Sequence, residues 1–410
     1  MKFLFIYPNA LKAIQEQLGI AYLAGQLERD GVEVRLHDCT FDSKEQLGRT
    51  ISEWKPDYVG LSLWSNELVQ ARKIYEFVKS RTEATIIVGG PHATLCKEEA
   101  IFYGDYVLTG EADWSVVDLV NGRVPKGFYH PNFYYEPPIA PNLDIIAFPK
   151  HELFVRHFKK EFFGRSGVLG MFLTSRGCPY SCSYCSNAKL KRLHACEPNG
   201  WTRFRRPSDV AKEIALSIEK FDITHFYLAD DTATLKKAHI LRLCDKFEQF
   251  HLPWYAMARC DTVNSEVFEA MKNAGCEMVL MGIECGDEYI RRTVLNRKMS
   301  NEMILNAFHN AKKAGIKTIA FNMTGIPGEG EGEFLKTLAL NKECEVDDAK
   351  MTILCAIPGT KMWGMMKRHG MLEGDMPVNY YEKSNIKLYN VNSDELLKRQ
   401  ERFYKEIRER

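Results

Sequence analysis

The stretch 174-TSRGCPYSCSYCSN-187 decides how the rest of the chain is read. It sets thiols at Cys178, Cys182 and Cys185, a Cys-x3-Cys-x2-Cys spacing. The residues before it, VLGMFLTS (168–175), read as a strand, and Gly177 and Pro179 disfavour a regular helix after it. The thiols therefore lie in a loop able to wrap around an ion or cluster. A structural zinc site uses four ligands in paired short spacings, and no fourth Cys or His follows at such a spacing. A cubane iron–sulfur cluster is normally capped by four thiolates. Three leave one iron open to a cofactor or substrate. Unrelated core cysteines do not account for three thiols so close together in a loop carrying Gly and Pro.

The chain has 410 residues, enough for two or three domains with cores of their own. Its 55 basic and 54 acidic residues leave a formal charge of +1, which supplies no electrostatic pull towards nucleic acid or an anionic membrane. No apolar run approaches the ~20 residues of a spanning helix. The opening MKFLFIYPNA ends its apolar run at Pro8 with no small-residue cleavage site close behind, so it reads as a first strand and not a signal peptide. A cytoplasmic protein is expected. In that compartment the other nine cysteines are small core hydrophobes, and no disulfide framework is expected.

Outward from the cysteine loop, apolar runs alternate with amphipathic stretches in two series. The first has strands at KFLFIYP, VEVRLHD, DYVGLSLW, ATIIVGG and YVLTG, with helices at LGIAYLAGQLERDG, through Trp54, over 66–80 and from Glu98. That pattern predicts an α/β fold whose first domain, residues 1–125, is a doubly wound parallel sheet. Ligands of such sheets bind beyond the carboxyl ends of the strands. Those ends are Tyr7–Asn9, Asp38, Ser62–Ser65, Gly89–Thr94 and Gly110–Asp113. Residues 126–165, rich in proline and aromatics, read as an extended linker. The second series runs from 166 to 360, with strands at VLGMFLTS, THFYLAD, WYAMARC, MVLMGIE, KTIAFNMTG and KMTILCA. Six βα units suggest a partial barrel or a second wound sheet, and in a barrel the carboxyl ends of the strands form the active face. Residues 361–410 read as a helical extension. It finishes in SDELLKRQERFYKEIRER, a solvated amphipathic cap.

The cysteine segment, with Tyr184 just before the third thiol, resembles the signature of the radical S-adenosylmethionine (SAM) superfamily. The resemblance continues through the second domain. YLADDTATL (227–235) is similar to the family's second-strand motif and puts Asp230 and Asp231 where a polar residue contacts the methionine amino group. ARCDTV (258–263), with Arg259, resembles the third-strand stretch, and MGIECGDE (281–288) the fourth, with Glu284 at its inward end. TGIPGEGEGE (324–333), with Gly325 and Pro327, resembles the glycine-rich turn whose backbone approaches the adenine, and AIPGT (356–360) the sixth-strand ending. The resemblance implies a partial (βα)6 TIM-like barrel, a 4Fe-4S cluster on Cys178, Cys182 and Cys185, and S-adenosylmethionine on the open iron. One electron then cleaves the S–C5′ bond to a 5′-deoxyadenosyl radical that abstracts hydrogen from the substrate. An electron donor such as flavodoxin or ferredoxin is implied as partner.

The first domain resembles the Rossmann-like cobalamin-binding domain fused to one radical SAM class. The likeness rests on Leu18–Gly31, PDYVGLS (56–62), VGGPHATLCKEEA (88–100) and TGEAD (109–113). It makes Ser62, Gly89, Gly90, His92 and Glu111 candidate cofactor contacts. The Asp-x-His-x-x-Gly signature that supplies a lower cobalt ligand is missing; the loop PNALKAIQEQLG has no histidine. The resemblance thus implies cobalamin without a protein imidazole below the cobalt. The leading expectation is a cobalamin-dependent radical SAM methyltransferase acting on an unactivated carbon of a small-molecule or natural-product substrate. The alternatives are a non-methylating radical enzyme (ring contraction, cyclisation or oxidation), with or without cobalamin, and an electron-transfer or binding module. Specificity is expected in residues 189–206 (KLKRLHACEPNGWTRFRR) and beyond 360. The first segment's basic residues fit either an anionic substrate group or a solvated loop.

Overall fold

Two runs of buried strands build two sheets in a computed structural model that describes residues 1–137, 139–193, 200–388 and 391–409. The chain divides into two compact units. The first holds Met1–Lys160, the helix Asn187–Leu193 and Ile357–Thr360; the second holds Glu161–Cys185, Thr202–Ala356 and the described chain from Lys361 on.

In the first unit, strands β1 (Lys2–Tyr7), β2 (Glu33–Asp38), β3 (Tyr58–Ser62), β4 (Thr85–Gly89) and β5 (Tyr106–Leu108) pair in parallel in the order β2-β1-β3-β4-β5. Phe3 to Tyr7 are all buried, as befits a central parallel strand covered on both faces. The helix Leu18–Arg29 turns Leu18, Ile20, Ala21, Ala24 and Leu27 inward at helical spacing. The aromatic stretch expected as linker does more than connect. It adds β6 (Phe128–His130) and β7 (Phe133–Tyr134) to the sheet as antiparallel strands. It also supplies the 3-10 turn His151–His157, whose His151 and His157 pair with Glu16 (2.6 Å) and Asp38 (2.5 Å).

The second sheet begins with β8 (Lys159–Phe162) and β9 (Arg165–Phe172). A short pair, β10 (Ser175–Arg176) and β11 (Arg203–Phe204), stands apart from it. It continues through β12 (His225–Leu228), β13 (Trp254–Ala258), β14 (Cys276–Glu284), β15 (Lys317–Thr324) and β16 (Asp348–Ile353). The order β16-β15-β14-β13-β12-β9-β8 is linear, with β9 and β12 to β16 parallel: a curled half-barrel of six βα strands with β8 at one edge. Phe226, Phe247, Trp254, Phe268, Phe308 and Phe334 pack in the layer between strands and helices.

The C-terminal helix, Ser393–Arg408, corrects the expectation of a solvated cap. It buries Leu396, Arg399, Phe403 and Ile407 in one stripe, and Phe403 and Ile407 belong to the main core. Tyr404 and Gln400 hydrogen-bond the backbone of Met351 in β16. Its many charges occupy the other face, so composition hides the stripe that periodicity carries. Among the described residues no helix is long and apolar enough to cross a membrane.

Candidate functional site

The cysteine loop leaves β9 through a clamp. Asp230, just past the end of β12 and 2% exposed, accepts from the Thr174 amide (3.1 Å), Thr174 Oγ1 (3.0 Å) and Ser175 Oγ (2.5 Å). Burial pushes its pKa up to about 6, against the pull of those donors. On the other side β10 pairs with β11, and Arg205 donates to the Thr174 and Leu173 carbonyls. Gly177 takes φ +87°, a left-handed turn that suits glycine, and opens the loop at Cys178.

The far end of the loop is held from two directions. Ser183 donates its amide to Leu295 O (2.9 Å) and its hydroxyl to Val294 O (2.6 Å), and the Met362 amide donates to Ser183 O (2.8 Å). Asn296 Nδ2 donates to Ser181 O at 2.6 Å. Cys182 is buried; Cys178 and Cys185 are half-buried. All three belong to one tethered loop.

Arg259, at the end of β13, lies against this loop. Its guanidinium forks onto Asp261 with both distances at 2.9 Å, sits 3.5 Å from the centre of the Tyr180 ring, and points Nη1 at Cys182 Sγ from 3.9 Å. This places a fixed positive charge beside a sulfur that would ligate iron. Asp231, unlike its neighbour Asp230, is exposed, and its charge bears on Cys178. Burial raises the Cys178 thiol's pKa, which metal ligation would reverse by displacing the proton. These residues fit an iron–sulfur cluster: three thiols on one short loop, a cation against Cys182, and an exposed carboxylate whose charge reaches Cys178.

Glu284 ends β14 with φ +69°, a left-handed backbone unusual for a side-chain-bearing residue, where the pairing with β15 slips register. The Tyr184 hydroxyl donates to its carboxylate, and Arg297 lies 3.9 Å away while donating to Gly282 O (2.8 Å). Burial raises the Glu284 pKa, and burial with the Glu284 charge raises that of Tyr184. Burial works against the Arg297 charge, but Tyr184 and Glu284 outweigh it and hold its pKa high. A Cβ on Gly282 would come within 2.2 Å of Glu284 Oε1 and 2.9 Å of Arg297 Nη2, so this glycine makes room for the pair.

At the glycine-rich turn, Gly325 has φ +79° and is buried under Leu396 of the C-terminal helix. Its amide donates to Glu329 (2.6 Å), which also accepts from Thr324 Oγ1 (2.9 Å). Burial raises the Glu329 pKa. Pro327 beside it is half-buried.

In the first unit, Ser62 ends β3 and Gly89 ends β4, the two being direct partners in the ladder. A Cβ on Gly89 would meet nothing closer than Leu108 O at 3.6 Å, leaving an open face. Gly90 differs: its φ is +96° and a Cβ would strike Leu63 N at 2.9 Å, so close backbone packing within the domain already requires glycine there. His92 is fully buried, with Nδ1 3.0 Å from Ser65 Oγ and its pKa lowered by burial to about 4. The side chain expected as a cofactor contact is thus enclosed by its own domain. Glu111 accepts from the Ala140 amide at 2.9 Å. Glu67, which sequence reasoning missed, is 5% exposed beyond the end of β3; its pKa is raised by burial to about 7, and Oε2 has no hydrogen-bond partner. Its other oxygen accepts from the Ala10 amide (3.3 Å), so the orphaned acceptor lies near the loop that follows β1, where it fits a polar ligand.

Two family descriptions match the chain: "Radical SAM superfamily" over residues 172–340 and "B12 binding domain" over residues 9–120. The chain is a radical SAM protein with an N-terminal B12-binding domain. It is similar to an uncharacterized methyltransferase of Pyrococcus horikoshii, 28% identical with 97% of this chain and 90% of that one covered. It is also similar to the hopanoid C-3 methylase of Methylococcus capsulatus, 25% identical with 88% and 72% covered. The fold matches the radical S-adenosylmethionine methyltransferase TsrM from Kitasatospora setae, solved with cobalamin and a [4Fe-4S] cluster. The TM-score is 0.71 at 18% identity, covering 90% of this chain and 75% of that one.

Within this radical SAM protein, sequence reasoning missed two further arginines. Arg297 is one. The other is Arg291, wholly buried, which donates to Met299 O, Cys285 O and Asn301 Oδ1 and braces the turn after β14. Both lie in YIRRTVLNRKMS, where only an Arg at each turn of an otherwise mixed run hinted at them. The basic segment 189–206 resolves differently at its two ends. Arg203 and Arg205 are buried, Arg205 paired with Glu213 at 2.5 Å, so neither charge serves a solvated loop. Residues 194–199 of that segment lie outside the described residues.

Proposed function

We propose that the protein methylates an unactivated carbon of a small-molecule substrate, using a 4Fe-4S cluster, S-adenosylmethionine and cobalamin. The observation that carries this reading is the tethered three-thiol loop with Arg259 against Cys182, in one chain with a B12-binding domain. The methyltransferase names of the Pyrococcus and Methylococcus relatives support methyl transfer over other radical chemistry. When bound, these groups supply a one-electron cleavage that yields a 5′-deoxyadenosyl radical, and a transferable methyl group.

The chain's own residues bind and orient. Cys178, Cys182 and Cys185 serve as thiolates, and Arg259 offsets part of their negative charge. Asp231 sets an exposed carboxylate charge near Cys178, where an ammonium group would bind. Asp230 holds the loop from within. Tyr184, Glu284 and Arg297 form a rigid polar wall, and Glu329 sets the backbone of Gly325 and Pro327. Ser62, Gly89 and Glu67 line the strand ends offered to the corrin. A reducing cytoplasm suits its unbridged cysteines, and a flavodoxin- or ferredoxin-type donor would supply the electron.

The test is anaerobic reconstitution with iron, sulfide and cobalamin, followed by S-adenosylmethionine and dithionite. Formation of 5′-deoxyadenosine is expected, lost with iron content in Cys182→Ala. Reduced cobalamin should turn S-adenosylmethionine over to S-adenosylhomocysteine. No 5′-deoxyadenosine from cluster-loaded protein would overturn the radical reading; no retained corrin would overturn methyl transfer alone.

A further inference from the structure

A second set of ligating side chains lies in the first unit, apart from the three-cysteine loop in sequence. The ligand atoms of His92, Cys96 and Glu99 all fall within 4.8 Å of one another. Their spacing, four and then three residues, would be that of one helical face, but the helix is broken between them. Cys96 has φ −136° and ψ 54° and separates the short helices Pro91–Leu95 and Lys97–Ala100. The break is itself hydrogen-bonded: the Cys96 amide donates to His92 O (2.8 Å), and the Ala100 amide to Cys96 O (2.9 Å).

The imidazole is the telling group. His92 is fully buried, its Nδ1 is engaged by Ser65 Oγ at 3.0 Å, and Nε2 is buried with no hydrogen-bond partner. The nearest acidic atom, Glu99 Oε2, stands 3.5 Å away, too far for a good hydrogen bond. It is the right separation for two atoms sharing one ion, since ligands ~2.0–2.1 Å from a tetrahedral zinc lie about 3.4 Å apart. The Ser65 contact is what a ligating histidine requires of its other nitrogen, a partner that fixes tautomer and ring plane.

We propose that His92 Nε2, Cys96 Sγ and Glu99 Oε2 bind a zinc-class divalent cation, with water in the fourth position. One imidazole, one thiolate and one carboxylate form a donor set zinc accepts. Glu99 is 49% exposed and Cys96 half-buried, which leaves a path for the ion to enter. Binding exchanges the Cys96 thiol proton for the metal and releases that proton to solvent, with no change of oxidation state. The ion staples the two short helices across the break, immediately after the Gly89–Gly90 turn. The site is independent of the methyl-transfer reading.

The experiment uses holoenzyme with cluster and cobalamin already loaded, exposed to zinc and passed over a chelating resin. Wild type is expected to keep a single zinc, and zinc-edge X-ray absorption to show one sulfur with nitrogen and oxygen scatterers. Cys96→Ala and the surface change Glu99→Gln should weaken zinc binding by at least the ~10–100-fold that loss of an outer partner costs, with iron content unchanged. Should Cys96→Ala fail to fold, Glu99→Gln decides. Wild type that retains no zinc, a three-sulfur shell that places the ion on the cluster cysteines, or a Glu99→Gln variant that binds like wild type overturns the proposal.

Discussion

Asp230→Asn removes a titrating charge from the clamp above the cysteine loop while nearly preserving its shape. In the folded chain, burial raises the Asp230 pKa to about 6, against an ordinary 3.8. A carboxyl whose folded pKa lies above its unfolded value holds its proton longer in the native state. Its favourable contribution is complete below the unfolded pKa and is lost as pH rises through the folded one. Two pKa units correspond to about 3 kcal/mol. Asparagine does not titrate, so it escapes that loss. Its amide also presents only one acceptor to Thr174 and Ser175, which costs ~1–3 kcal/mol at every pH. The variant should therefore be the less stable protein near pH 4. It should gain on wild type by about 2 kcal/mol on the way to pH 7. Urea unfolding of the two cluster-free proteins across that range measures the difference, and titrations common to both cancel in it. A difference that stays flat with pH refutes the reasoning, because it would mean that the clamp carboxyl ionises as an ordinary surface aspartate.

Arg259→Lys keeps the charge but loses the fork onto Asp261 and the plane over Tyr180, so 5′-deoxyadenosine formation should fall about tenfold at unchanged iron content; an undiminished rate would show that charge alone matters. Phe403→Ala deletes a fully buried ring of the C-terminal helix and should cost ~3–5 kcal/mol, read as a lowered urea midpoint. Gly90→Ala should destabilise by ~1–3 kcal/mol, because φ is +96° and the new Cβ meets Leu63 N at 2.9 Å. Gly19→Ala, with nothing within 4 Å in the helix Leu18–Arg29, should instead leave the melting temperature level or raised.

The sequence by itself determined most of the element types and set the three thiols in one loop. Period-two and period-3.6 patterns are local, and strand–helix alternation admits few topologies, so both parallel sheets were legible. The three thiols were legible for the same reason: their spacing lies within a single loop. Which side chains serve the site and which hold the fold was decided only in three dimensions. Asp230 and Asp231 are neighbours of identical chemistry. One is buried because Thr174 and Ser175, some 55 residues earlier, offer it donors, while the other is left exposed. Arg205 reads as surface charge until Glu213 and Leu173 O close around it. Gly90 reads as a ligand cradle until the Leu63 backbone occupies its missing side chain, and only the fold shows that His92 is fully buried. The C-terminal helix looks solvated until Phe403 enters the barrel core. Each of these outcomes turns on a partner distant in sequence, and no local pattern carries the identity of a partner that only the folded chain brings near.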